Sequence, residues 1–357
     1  MSGQKMNKEL INKILEAAIR APSGDNVQPW RFQVSEDFTR IDLYNLPEKD
    51  DSYYNFEQAA SYIAHGALLE NILIAAGHMG IAVRYQLFPD DLEPDLVVRM
   101  DLTGALPQPD PLYHSIFNRR TNRFPFRRVD VTEQSLEKLK ESVKCLDNIS
   151  ISLINQKDKI NVLAKILMVN DRLVFERKDL HGFLFDKIRW NMEQVDETRD
   201  GLPVETLGLN PIEKVFFPLM RFWRVVKIAN LFGLSRIIGL KCWWNCRNAS
   251  VLAMISSAGN DKFAFVQGGR AVQRLWLEAT NQGLEMQPII GLPLLIHRLI
   301  QTKVLNFGDK HRQMIERTRI SLIDQSSISE TETLISSFRI GYGSARTIET
   351  KRRNLDS

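Results

Sequence analysis

The chain has 357 residues, 44% hydrophobic and 25% charged, with 47 basic against 43 acidic residues for a net charge of +4. That is room for one large domain or two ordinary ones around a sizeable core, at an ordinary globular composition. So small an imbalance, without any long block of like charge, argues against nucleic acid as a partner.

Three cysteines, Cys145, Cys242 and Cys246, are too few for a disulfide framework and predict a reducing compartment. Cys242 and Cys246 are four apart in CWWNC, which is not the two-residue zinc spacing, so they read as buried helical residues and no metal site is expected. The polar start MSGQKMNKELINK has no apolar signal-peptide core, and no stretch approaches the ~18 uncharged apolar residues of a membrane span. A cytoplasmic protein is the expectation.

In chain order, Leu10, Ile11, Ile14, Leu15, Ala18 and Ile19 share one face, predicting an amphipathic helix from Lys8 to Arg20. The loop APSGDNVQPW (residues 21–30) follows, long and rich in small and amide residues for a plain helix-to-strand connection. RFQV from Arg31 and RIDLY from Arg40 read as strands. Ala59 to Gly80 is a strongly apolar helix stopped by Gly80, LVVRMDL from Leu96 is a further strand, and LPQPDPL at 106–112 breaks the chain.

Beyond that break the sequence repeats itself weakly. GALLENILIAAGHMG (66–80) aligns without gaps to GRAVQRLWLEATNQG (269–283), matching Gly66, Ala76 and Gly80 to Gly269, Ala279 and Gly283. Each segment precedes a strand-like stretch, so a duplicated α+β unit is predicted, with a first half at 1–112 and a second at 113–357. Between the copies, Phe216 to Arg247 is aromatic and basic, with apolar residues at helical spacing. Its charges at Arg221, Arg224 and Lys227 rule out a bilayer span. The readings left open are a lid or packing arm with its cations snorkelling to water, which is favoured, and an interfacial membrane helix.

Three motifs together resemble the nitroreductase superfamily of FMN-dependent oxidoreductases. AAIRAPSGDNVQPWRF is similar to that family's first helix and loop, and RRTNRFPFRRVDVTEQSLEKL from Arg119 resembles the Arg-rich stretch that opens such proteins. FRIGYGSARTIETKRR resembles their closing strand, Gly-Tyr turn and basic pair. In an ordinary member the Arg-rich start directly precedes the PSxxN-type loop; here the loop comes first, and no second loop of that type follows Arg119. The arrangement looks like the divergent Acg-like and ThiF-associated branch, in which one chain folds as a pseudo-dimer. It implies an α+β nitroreductase-like fold, internally duplicated, with antiparallel sheets flanked by helices.

The resemblance further implies that Arg119, Thr121 and Arg123, with Arg352 and Arg353, hold the phosphate end of FMN. Pro22, Ser23, Gly24 and Asn26 would approach the flavin from the first copy, and Gly291 would bring backbone toward its ring. Guanidinium forks, a hydroxyl and an amide suit such a ligand. Because each copy keeps a different half of the motifs, one FMN per chain is expected. The implied chemistry is ping-pong, NAD(P)H reducing FMN at N5 before a small acceptor such as a nitroaromatic or quinone takes its place. It needs no side-chain acid or base, so no catalytic residue is named and His65, His78, His114, His181, His297 and His311 read as structural.

The rival reading is a flavin-sequestering protein whose arm covers the site. Membrane association is not expected, although the surface-anchor reading of the arm stays open. A ThiF-like adenylating enzyme could be a separate partner, and the chain could be a monomeric pseudo-dimer or a homodimer.

Overall fold

A computed structural model describes residues 6–104, 109–302, 306–326, 328–343 and 347–355. Residues 106–108 of the proline-rich break and 344–346 of the closing motif lie outside them. The first copy runs α1 (Lys8–Ala18), β1 (Trp30–Val34), β2 (Arg40–Asn45), α2 (Ala59–His78), β3 (Ala82–Leu87) and β4 (Leu96–Thr103). The Asn7 side chain caps α1 by accepting from the Leu10 N–H at 2.9 Å, and the helix stops two residues short of the expected Arg20.

A short α3 (Tyr113–Asn118) and a two-residue β5 (Phe126–Arg127) lead to α4 (Glu133–Glu141) and β6 (Ile149–Ile154). A long insertion follows: α5 (Lys157–Leu167), α6 (Val169–Glu176), α7 (Lys178–Asp186), β7 (Ile188–Arg189), α8 (Met192–Thr198), β8 (Leu202–Pro203), α9 (Pro211–Met220), α10 (Trp223–Leu231) and α11 (Leu234–Arg247). The pattern resumes with β9 (Val251–Ser257), α12 (Lys262–Asn281) and β10 (Glu285–Pro288). Helices α13 (Gly291–Thr302) and α14 (Asp309–Ser326) interrupt it again before β11 (Thr333–Gly343).

One sheet has the order β1-β2-β4-β3 and the other β6-β9-β11-β10, with every neighbouring pair antiparallel. Matching β1 to β6, β2 to β9, α2 to α12, β3 to β10 and β4 to β11 gives the same topology twice. The weak repeat in the sequence is therefore a duplication of the whole α+β unit.

Helices α2 and α12 pack at the centre, and their contact is the same seen from either side. A Cβ on Gly66 would stand 1.9 Å from the Val266 carbonyl oxygen, and one on Gly269 would stand 2.1 Å from that of Ile63. Ile63 and Val266 each lie three residues before the aligned glycine. Farther along, Glu70 pairs with Arg274 at 2.7 Å while Gln273 donates to Asn71 at 2.6 Å, and Glu70 aligns with Gln273 as Asn71 does with Arg274. Such reciprocal contacts are those of a two-fold interface, here within one polypeptide. Both helices also end alike. Gly80 (φ 74°) and Gly283 (φ 71°) turn left-handed, and the following Ile81 and Leu284 amides return to the carbonyls of Ala76 and Ala279.

By length and composition α2, unlike any stretch expected from the sequence, could cross a membrane, but it is buried in the core. Being apolar all round is what a central helix wrapped by both copies requires. The Gly-Tyr-Gly at 341–343 forms no turn; it belongs to β11 and pairs with β10 and β5. A Cβ on Gly343 would stand 2.7 Å from Glu285 Cγ, so glycine there lets the strands close up. Phe216–Arg247 is not one helix but parts of α9, α10 and α11, broken at Arg221 and at the left-handed Gly233.

The copies diverge where α1 and α4 end. Asn71 anchors the end of α1 through the Ala17 carbonyl, and the aligned Arg274 anchors the end of α4 through that of Ser142. From there the first copy takes residues 19–29 to reach β1, whereas the second takes only 142–148 to reach β6. The second copy has no room for a loop of the first kind.

Candidate functional site

The loop between α1 and β1 is strained. Ser23 Oγ accepts from the Gln28 N–H at 3.0 Å around a single turn, and Asp25, Asn26 and Gln28 all hold positive φ (44°, 58° and 53°). Left-handed backbone at a residue with a Cβ costs on the order of 1 kcal/mol each, so something must hold it. Buried Gln28 does: its amide donates to the Arg199 carbonyl at 2.9 Å, and its Oε1 accepts from the Arg353 N–H at 2.9 Å. The C-terminal segment thus lies on the loop, with Asn26 donating to the Lys351 carbonyl at 3.1 Å. Gly24 has an ordinary φ and room for a Cβ, its nearest neighbour there being Asp50 Oδ2 at 3.8 Å. The unusual backbone falls on its polar neighbours instead.

This loop, the stretch after α3, the C-terminal segment and the long insertion enclose a cavity of about 510 Å³. Pro22, Ser23, Gly24, Asn26, Arg119, Thr121, Arg123, Gly291 and Arg352 all line it. Arg353 does not, because its guanidinium bonds the Gln28 carbonyl. Gly291 serves close packing, since a Cβ there would stand 2.4 Å from Asn170 Oδ1.

One end of the cavity is cationic. Arg119 is buried, with its guanidinium 4.5 Å from the centre of the Trp276 ring and bonded to the Arg20 carbonyl at 2.7 Å. Arg20, Arg120 and Arg352 surround it, and Glu349, the one carboxylate near them among the described residues, is shared by Arg20 and Arg120. Burial and then these like charges hold the Arg119 pKa well below its ordinary value, and burial brings that of Arg352 down to about 10. Charges gathered this way call for an anion. Four buried polar atoms of cavity-lining residues also have no partner among the described residues: Asn26 Oδ1, Arg119 Nε, Ser336 Oγ and Arg339 Nη1. Buried groups of that kind are ordinarily satisfied, so their gathering at one cavity marks a place for a polar ligand.

Much of the rest of the wall is apolar and comes from the insertion, including Phe175 of α6, Leu180 of α7, Phe217 of α9 and Ile238 of α11. Cys242 and Cys246 of α11 also line it; Cys246 is buried and Cys242 only half-buried. Tyr54 donates to Asn170 Oδ1 at 3.0 Å, and burial pushes the neighbouring Asp171 carboxyl up. None of the six histidines lines the cavity.

Arg20, Arg120, Asp25, Arg339 and Glu349 escape a reading of the sequence. All five lie inside the three quoted motifs, Arg20 and Asp25 in the first, Arg120 in the second and Arg339 and Glu349 in the third, so motif membership was the signal that could have found them. Burial raises the Asp25 pKa to about 6, with Arg123 opposing the shift. A folded pKa above the unfolded one near 3.9 means that the protonated form is the stabilising one. Its contribution is complete below pH ~4 and lost as pH rises through 6. Asp25→Asn should therefore stabilise the protein at pH 7 by about 1–2 kcal/mol, discounted for the opening to the cavity, and by almost nothing at pH 4. Urea midpoints for both proteins across pH 4–7 check this, and parallel curves would contradict it.

The chain is similar to known proteins. The model of the Nitroreductase family matches residues 2–48, which include α1, the strained loop and the first two strands. "Uncharacterized protein MT1398" of Mycobacterium tuberculosis is 25% identical over 292 residues, 77% of this chain but only 38% of that protein's length. "Putative NAD(P)H nitroreductase acg" of the same organism is 24% identical over 292 residues, 80% of this chain and 81% of its own. Among solved structures, an FMN-bound nitroreductase from Bacteroides fragilis has a TM-score of 0.39 at 12% identity, covering 68% of this chain and 95% of that one. NfnB, titled an FMN and NADPH-dependent nitroreductase from a Sphingopyxis strain, has a TM-score of 0.38 at 14% identity, covering 69% and 96%. The match to the Nitroreductase family model thus falls on the very loop that walls the cavity, and over 80% of its length the chain is similar to a relative named as a putative NAD(P)H nitroreductase.

Proposed function

We propose that the chain is an FMN-dependent NAD(P)H oxidoreductase of the nitroreductase type, in which the two halves, 1–112 and 113–357, share one flavin. The observation that carries this reading is the buried arginine cluster that lines one cavity together with the strained loop, Arg119 and Arg352 bonding the carbonyls of Arg20 and Ile19 where the loop begins. The residues fit the cofactor. Arg119 and Arg352, with Arg20 and Arg120, would bind the phosphate by charge-assisted hydrogen bonds, and Thr121 offers a hydroxyl beside them. Asn26 Oδ1, held by the strained loop, would accept from a polar group of the ligand, while Arg123 balances Asp25. Arg353 would act through Gln28, by fixing the loop. Bound there, FMN supplies hydride transfer from the nicotinamide to a small acceptor, and the protein supplies placement and exclusion of water. A relative named as an NAD(P)H nitroreductase supports the same reading.

One observation favours a second reading, a flavin-sequestering protein: the insertion supplies much of the cavity wall and would restrict access of a nicotinamide to a flavin bound there. Anaerobic addition of NADH or NADPH to the flavin-loaded protein separates the two. Bleaching of the flavin absorbance, then recovery with a quinone or nitroaromatic, is expected of the reductase. A flavin that stays oxidised with both reductants would leave the sequestering reading.

A further inference from the structure

The insertion has an outer face as distinctive as the inner one. Of the twenty large hydrophobic side chains exposed among the described residues, twelve lie between Ile212 and Trp244. On α9 these are Ile212, Val215, Phe216 and Leu219, one stripe at helical spacing, while Phe217 on the other side faces the cavity. On α10, Val225 and Ile228 point outward and Val226 is fully buried. Leu231 and Phe232, at the turn into α11, are 82% and 84% exposed. On α11, Ile237, Leu240 and Trp244 continue the outer surface. These helices are apolar on both faces, and so large an exposed apolar surface marks an interaction site.

The charge on the same helices points to what covers it. Residues 211–247 hold seven basic residues and one acidic one, a net +6 in a chain whose total is +4. Glu213 is paired with Lys241. Lys214, Arg221, Arg224, Lys227, Arg236 and Arg247 are exposed and form no ion pair with any described residue. Arg221 lies 4.6 Å over the Phe222 ring, and Arg128 lies 5.4 Å from Trp244. Exposed aromatics beside unpaired cations suit the headgroup level of a bilayer. The longest of the three helices has 14 residues, too short to span one, so they would lie in its surface. A second copy of the chain fits poorly, because a two-fold contact would set the same unpaired cations against one another.

We propose that α9–α11 dock the protein on an anionic membrane surface, their apolar stripes entering the headgroup region and their arginines and lysines meeting acidic lipid. This surface stands independently of the flavin reading. The test is co-sedimentation of the full chain with vesicles of phosphatidylcholine alone and of phosphatidylcholine with about one-third phosphatidylglycerol. Partitioning is expected to be about tenfold or more stronger on the acidic vesicles and to weaken with salt. Arg224→Glu with Lys227→Glu, and separately Leu231→Asp with Phe232→Asp, should each lower it about tenfold or more while leaving the circular dichroism spectrum unchanged. None of these four residues lines the cavity. Absence of binding to both vesicles, or binding indifferent to acidic lipid and to both pairs of substitutions, would overturn the proposal. So would lipid-free self-association abolished by Leu231→Asp with Phe232→Asp, which would make the face a contact between copies.

Discussion

Gly66→Val is expected to leave no cooperatively folded protein. The new Cβ would stand 1.9 Å from the Val266 carbonyl oxygen and 2.9 Å from Gly269 Cα, both backbone, so no rotamer relieves the overlap. Helices α2 and α12 would have to separate, and Glu70, buried between them, would lose its pairing to Arg270 and Arg274. Overpacking alone costs about 1–3 kcal/mol, and breaking a buried ion pair about 3–5 kcal/mol. Together these approach the whole stability of a typical domain. Gly80→Ala is the control: its φ of 74° is strained for alanine, but nothing stands within 4 Å, so the loss should be only about 1 kcal/mol. Urea unfolding followed by circular dichroism measures both. A Gly66→Val protein unfolding near the wild-type midpoint would contradict the two-fold helix contact.

Arg119→Met is expected to weaken FMN binding by about 10- to 100-fold while leaving the flavin-free protein as stable as the wild type, or more so. A hydrogen bond to a charged group is worth about 1.5–3 kcal/mol, which sets the loss of affinity. The second half follows from the guanidinium's surroundings. It is buried against Trp276 among three other arginines, and its Nε has no partner among the described residues. Without an anion it is a repelled, partly desolvated charge, and methionine keeps its bulk against the ring without that charge. Fluorescence titration with FMN gives the affinity, and flavin-free melting gives the stability. If Arg119 were simply structural, holding the Arg20 carbonyl, the flavin-free variant would melt well below the wild type.

What the sequence shows of this molecule is mostly what short spacings encode. Gly66, Ala76 and Gly80 fall into line with Gly269, Ala279 and Gly283 because the same helix contact and the same left-handed stop recur in both copies. The loop at 21–30 and the Arg-rich stretch at 119–123 are legible as compact motifs, and nine of the ten residues that the resemblance assigns line one cavity. The role of Glu349 is not legible, because its partners Arg20 and Arg120 are brought to it only by the tertiary fold. Nor is that of Gln28, an ordinary loop residue in sequence, whose hydrogen bonds tie Ser23 and Asn26 of the loop to Arg199 and, twice, to Arg353. The insertion was expected only as an arm at 216–247, since the apolar residues of α5–α7 resemble any core helix until the cavity they wall is seen. The break of that arm into three helices turns on Arg221 and Gly233, single positions within a pattern that otherwise continues at helical spacing.

The central claim is that two unequal halves build one flavin site, and counting the flavin tests it most directly. The purified chain, saturated with FMN and freed of excess, is denatured, and the released flavin is measured against protein. One FMN per chain is the predicted result, because only the first copy has the long loop, and three of the four arginines gathered beside it, Arg119, Arg120 and Arg352, come from the second half. Two per chain would mean that the short 142–148 connection also supports a site, and none would mean that the arginine cluster serves some other anion; either contradicts the account.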